Sequence, residues 1–261
     1  MELIIEHRTR YHYEQPQQYS IQQLRLTPQT GFGQQVKQWD VRVNGCVNRY
    51  ADTFGNVSHT LVLDTPHQDI TITATGRVTT GLQADSHDNV LPLAVYLRHT
   101  HLTACDGALG EFARAFKVQS GAFNESNIVM MMQTIVHAVT YQGDKLANRM
   151  NTAAKAFVIG ASTSRDYAHI FIACCRSLGI PARYVSGYLF LKTDNTMVAH
   201  NWADVWLGDT LGWQSFDVAN GQRANGVHVR LATGLDYRDA CPINSVLANV
   251  QTSMSIQALA A

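Results

Sequence analysis

The chain has 261 residues, of which 46% are hydrophobic and 15% charged, and its 20 basic side chains are matched by 20 acidic ones. That length holds one large domain or two ordinary ones, and two unequal domains is the starting reading. The balanced charge excludes a polyelectrolyte surface, so neither nucleic acid nor an anionic membrane is an expected partner. No apolar run approaches the ~18 residues of a membrane span. The N-terminus "MELIIEHRTRYHYEQ" has acids and histidines where a signal peptide has an apolar core. A soluble, cytoplasmic protein is expected. The five cysteines are an odd number without framework spacing, which points to free thiols in a reducing compartment.

Residues 1–80 are punctuated as β structure. "LIIEHRTRYHY" places Leu3, Ile5, His7, Thr9, Tyr11 and Tyr13 on one side, and "QWDVRVN", "SHTLVLD" and "DITITATGRVT" are further short β-branched runs. Turn chemistry separates them at Pro28, at Asp52 to Asn56 and at Pro66. An antiparallel sandwich or meander packs such a set. Residues 81–95 lose the alternation and read as a connection.

Helical signals follow in 96–261. "NESNIVMMMQTIVHAVTY" sets Ile128, Met131, Met132, Ile135, Val136 and Val139 at helix spacing behind Asn124 as N-cap. Three consecutive methionines face different sides of a helix, so they read as packing rather than a soft-metal site. In "GASTSRDYAHIFIACCRSLGIP", Ser162, Thr163 or Ser164 caps a helix with a buried stripe of Tyr167, Ile170, Phe171, Cys174 and Leu178; Gly179 and Pro181 end it. Strands return in "ARYVSGYLFLK", "AHNWADVWL", "GWQSFDV" and "HVRLATG". Helices followed by strands make an α+β half.

Ser164 falls in the first turn of its helix, where unpaired N–H groups and the positive helix end favour a nucleophile's anion and a developing oxyanion. The plain alternative is that Ser164 only caps. If Trp206 faces Trp213, parity puts His200, Trp202, Asp204 and Trp206 on one face with Trp213, Ser215 and Asp217. His200 and Asp217 are then diagonal neighbours, and Asp217 can orient the His200 ring.

These motifs, in this order, resemble the transglutaminase-like superfamily, whose core carries a cysteine at a helix N-terminus followed by His and Asp on neighbouring strands, as in papain-like thiol enzymes. "RDYAHIFIACCRSLGIPARYVSGYL", "AHNWADVWL" and "GWQSFDVANG" carry the resemblance, and "RTRYHYEQP", "LRLTP" and "DTFGNV" resemble the β domain that precedes this core in bacterial relatives. The resemblance implies an α+β fold: an N-terminal antiparallel β-sandwich-like domain (1–80), a connection (81–95), and a core of helices packed on an antiparallel sheet (96–261). It puts Ser164 on the catalytic cysteine, His200 on the histidine and Asp217 on the aspartate. Ser162 and Thr163 also depart from the pattern, which points to divergence rather than one changed residue.

A serine is not ionised in advance as a thiol is, so it needs His200 to take its proton during attack. Cys174 and Cys175 lie ten and eleven residues along the same helix, some ~15 Å away at 1.5 Å per residue, too far to replace it. Asp166 and His169 point away from Ser164 on the helix; Asp166 is expected to strengthen the helix start and His169 to pack beneath the site. The resemblance implies an amide or ester hydrolase or acyl transferase, with Ser164 N–H as one oxyanion donor and Tyr141 as a candidate second. Trp202, Trp206 and Trp213 are candidate walls of a cleft for a peptide or protein ligand, and equally candidate core. The alternative is an inactive descendant that binds peptides or proteins. His99, His101 and Cys105 lack a fourth ligand at zinc spacing, and no glycine-rich phosphate loop is present, so no metal or cofactor is expected.

Overall fold

The computed structural model describes residues 1–84, 87, 90–117, 125–143, 150–245 and 250–260. The first half is six strands: β1 (Glu2–Gln17), β2 (Ser20–Leu24), β3 (Gln34–Val43), β4 (Cys46–Ala51), β5 (Val57–Leu63) and β6 (His67–Thr80). The alternation predicted for β1 is the one observed, with Leu3, Ile5, His7, Thr9, Tyr11 and Tyr13 all buried. A 3-10 turn at Leu93–Leu97 leads to α1 (Gly107–Arg114) and α2 (Glu125–Ala138). On α2, Ile128, Met131, Met132 and Ile135 are buried while Met130 is exposed. The proposed cap Asn124 lies outside the described residues.

The short strands β7 (Thr140–Tyr141) and β8 (Ala161–Ser162) flank α3 (Ala153–Ile159) and pair in parallel. Then come α4 (Ser164–Ser177), β9 (Ala182–Leu191), β10 (Thr196–Trp206), β11 (Trp213–Asp217), β12 (Gln222–Arg223), β13 (His228–Gly234), α5 (Tyr237–Ala240), β14 (Ile243–Ser245) and β15 (Val250–Ala260). The larger sheets have the orders β15-β1-β6-β3, β14-β2-β5-β4 and β12-β11-β10-β9-β13. The architecture is α+β, antiparallel sheets followed by helices packed on a sheet. The last two strands return to the first half, β15 pairing along β1 from Leu3–Ala260 to Tyr13–Val250 and β14 pairing with β2.

Helix α4 is enclosed rather than amphipathic: every residue from Ser164 to Arg176 is buried, not only the predicted stripe. Its apolar side chains pack with α1, α2, α3 and the Tyr184, Ala203 and Phe216 face of the sheet. A helix buried all round must satisfy its polar residues internally. Arg176 does so by donating to the carbonyls of Tyr96, Ala182 and Leu235 and to Thr103 Oγ1. On the other face, a Cβ at Gly187 would sit 2.5 Å from Trp202 Cη2 and 2.2 Å from the Val229 carbonyl. Only glycine lets Trp202 lie down on β9.

Candidate functional site

The start of α4 is fixed by its own sequence. Thr163 is the N-cap, its Oγ1 accepting from Asp166 N–H while the Asp166 carboxylate accepts from Thr163 N–H at 3.1 Å. This capping box is the helix-start role expected of Asp166, and it leaves Ser164 at the first helical position with an unpaired class of backbone donor. His169 is fully buried and accepts from Tyr237 N–H at 3.1 Å. Burial, with Arg165 and Arg176 nearby, lowers its pKa to about 3, so the ring is neutral. It ties α4 to the first residue of α5.

The strand register is the one the sequence predicts at its anchor: Trp206 faces Trp213, Asp204 faces Ser215 and Ala203 faces Phe216. His200 Nε2 donates to Asp217 Oδ1 at 2.8 Å in a buried setting. With Nε2 committed, Nδ1 is the ring's basic nitrogen.

Asp217 has more partners than expected. His228 Nε2 reaches its Oδ2 at 2.9 Å, Asn220 Nδ2 donates to Oδ2 at 2.7 Å, and Asn220 N–H lies 3.3 Å from Oδ1. Burial alone would raise the Asp217 carboxyl, but the hydrogen bonds from His200, His228 and Asn220 outweigh it and hold the group well below the usual carboxylate range. His228 Nδ1 accepts from Asn225 N–H at 3.1 Å. Nδ1 is thus the accepting nitrogen, and Nε2 is the one that faces Asp217.

His200, Asp217 and His228 bring their ligand atoms within 4.8 Å of one another, a set of the composition that holds zinc. The hydrogen bonding of His228 speaks against such an ion. A metal on Nε2 needs Nδ1 to carry a proton and donate it, whereas here Nδ1 accepts.

Ser164 Oγ accepts from Asn201 Nδ2 at 3.1 Å. Among the described residues this, and not a bond to His200, is the hydroxyl's hydrogen bond. Asn201 follows His200 on β10, and the His200 ring stacks beside Trp202 with ring centroids 6.4 Å apart. The structure thus joins His200 to Asp217 directly, and Ser164 to the strand through Asn201. Tyr141 is exposed on β7 and pairs with Ser162, two residues before Ser164. Trp202 and Trp213 are buried on the far face, Trp202 edge-on to His228 at 5.3 Å and Trp213 edge-on to Tyr96 at 5.2 Å. Trp206 meets Trp213 at 5.6 Å.

The same face holds a second carboxylate. Asp204 accepts from Arg183 Nε, from both terminal nitrogens of Arg230, all at 2.8 Å, and from Ser215 Oγ at 2.7 Å. Burial would raise its pKa, but the charges of Arg230 and Arg183 bring it down to about 2. Ser215 on β11 bonds Arg230 on β13, and Asp217 on β11 bonds His228 on β13. These strands are separated by two others in the sheet order, so the sheet is curled until β11 and β13 meet through side chains. Sequence reasoning missed His228, Asn220, Asn201 and the two arginines. Only Asn201 had a local signal, its place beside His200 in "AHNW".

Comparison with known proteins agrees with this fold. Residues 3–79 match the bacterial transglutaminase-like N-terminal region, and residues 113–218 match the transglutaminase-like superfamily. An uncharacterized protein of Mycobacterium leprae is 28% identical over 92% of this chain and 91% of its own length. An uncharacterized protein of Mycobacterium tuberculosis is 34% identical, over 32% of this chain and 30% of its own. A solved structure described as "a Putative Cysteine Protease from Cytophaga hutchinsonii" superposes with a TM-score of 0.77 at 20% identity, covering 99% of this chain and 90% of that one. The chain has a transglutaminase-like, papain-like superfamily fold, with an N-terminal β domain and an α+β core. All five cysteines are free thiols. No helix among the described residues is long and apolar enough to cross a membrane.

Proposed function

We propose that the protein is an acyl hydrolase or acyl transferase acting on amide or ester carbonyls of a peptide or protein, with Ser164 as nucleophile, His200 as base and then acid, and Asp217 as the group that orients His200. The observation that carries this reading is the buried 2.8 Å bond between His200 Nε2 and Asp217, which fixes the ring and leaves Nδ1 to take a proton. Ser164 Oγ attacks the carbonyl carbon as its proton passes to His200 Nδ1, and the carbonyl π pair moves onto oxygen. Ser164 N–H at the helix start is one donor to that oxygen. Collapse restores the carbonyl and expels the amine or alcohol, which takes the proton from His200. Water or a second amine then attacks the acyl-serine by the same proton path.

Turnover of p-nitrophenyl esters and peptide p-nitroanilides by the native chain, abolished in Ser164→Ala and in His200→Ala, is the expected result. Equal rates in the native protein and in Ser164→Ala would contradict it. The 3.1 Å bond from Asn201 to the Ser164 hydroxyl favours a second reading, a binding module that keeps the cleft without the reaction. That reading predicts peptide affinity unchanged in a folded His200→Ala variant.

A further inference from the structure

Acyl transfer places negative charge on the former carbonyl oxygen, where preorganised donors lower the barrier. Ser164, the first helical residue of α4, supplies one donor through its backbone N–H. A second donor has to stand close to the Ser164 hydroxyl, because the oxyanion is only two bonds from the attacking Oγ, with the carbonyl carbon between them.

Asn201 meets that requirement. Its Nδ2 donates to Ser164 Oγ at 3.1 Å, so the donor already stands at the atom that attacks. The arm is short and its base is fixed, since Asn201 lies inside β10 in register with Ser186 of β9. Ser186 does not compete for the amide, because its hydroxyl is given to the Ala240 carbonyl at 2.6 Å. The amide nitrogen carries two N–H donors, and rotation about the last side-chain bond carries one of them from Oγ to an oxygen two bonds away. Being neutral, the amide adds no charge beside His200 and Asp217. Tyr141, the second donor expected from the sequence, is exposed on β7 with its ring 6.4 Å from that of Tyr167. Asn201 is the residue that touches the nucleophile.

We propose that Asn201 is a catalytic residue, the second donor to the oxyanion. The assignment rests on the reading of Ser164 as nucleophile and His200 as base. As Ser164 Oγ bonds to the carbonyl carbon and its proton passes to His200 Nδ1, the Asn201 N–H leaves Oγ and donates to the oxygen that has received the carbonyl π pair. On collapse that pair returns to the carbonyl, and the leaving group departs with the proton from His200. The same donor serves the second tetrahedral intermediate, formed when water or an amine attacks the acyl-serine.

Turnover of p-nitrophenyl esters is measured for the native chain, for Asn201→Ala and for Asn201→Leu, which is close to asparagine in size but has no donor; circular dichroism establishes that each variant is folded. In both, kcat is expected to fall about 10²–10³-fold with KM little changed, and the pH profile keeps its midpoints because an amide does not titrate. The peptide aldehyde acetyl-Ala-Ala-phenylalaninal, whose hemiacetal with Ser164 presents the oxyanion, should lose affinity by a similar factor, while the matching alcohol binds native and variant chains alike. Turnover that is abolished in Ser164→Ala but persists at the native rate in both folded Asn201 variants would overturn the assignment and leave the reading of Ser164 intact. A rate that rises in the variants would overturn it too, by making the 3.1 Å bond a restraint on the hydroxyl. Absence of turnover in the native chain would overturn the reading of Ser164 and this assignment with it.

Discussion

Asp204 and Asp217 lie on one face of one sheet, both without exposed surface, and each is gripped by two basic side chains plus a small donor. For Asp204 the basic groups are Arg183 and Arg230 and the donor is Ser215; for Asp217 they are His200 and His228 with Asn220. The carboxylates are alike, and the difference is in what holds them. Guanidinium keeps its proton at any accessible pH, so the Asp204 cluster has nothing to transfer and serves to bind β9, β10, β11 and β13 together. An imidazole has a ring nitrogen that can accept as well as one that donates, so the Asp217 cluster, unlike the Asp204 cluster, contains groups able to take up a proton. One curled sheet places a fixed ion cluster and a proton-handling one side by side.

The comparison is broken most directly by removing each charge in turn. Asp217→Asn is expected to lower turnover by about 10³–10⁴-fold, because the amide no longer stabilises the cationic ring of His200, while the thermal midpoint changes little. Asp204→Asn is expected to do the reverse. It leaves two buried guanidiniums without their anion and costs about 3–5 kcal/mol of stability in urea unfolding, with activity following only the folded fraction.

Acid sharpens the same contrast. Asp204 titrates at about 2 in the folded chain, below its unfolded value, so its contribution is present above pH ~4 and is lost as pH falls through ~2. The size is about 2 kcal/mol. Unfolding free energy followed from pH 5 to pH 2 should decline less steeply in Asp204→Asn than in the native chain, and equal slopes would remove this role from Asp204. The smallest effect is assigned to His228. His228→Asn takes one hydrogen bond from Asp217 and should reduce kcat about tenfold and displace the pH profile of kcat/KM. A profile that stays in place would make His228 a packing residue only.

What the sequence revealed and what it hid divide along distance in the chain. The β1 face from Leu3 to Tyr13 was legible because a period of two is local, and the Trp206–Trp213 pairing because a short hairpin ties parity to register. The bond from His200 to Asp217 followed from that register. His228, Arg183 and Arg230 were not legible. They reach β10 and β11 only because the sheet curls, and no periodicity reports curl. The pairing of β15 with β1 joins residues more than 230 positions apart and left no local trace. The single stripe read on α4 erred for a related reason, since enclosure by three helices and a sheet is decided by packing elsewhere. At Ser164 itself, residue type and helix position were visible, but its partner Asn201 was passed over in favour of the neighbouring histidine.

The central claim is that Ser164 is an activated nucleophile served by His200. Intact mass after treatment with a small fluorophosphonate, compared between the native chain, Ser164→Ala and His200→Ala, tests it most directly. The account predicts one adduct on the native protein and none on either variant. A folded native protein that takes no adduct, or one whose adduct persists in Ser164→Ala, would contradict it.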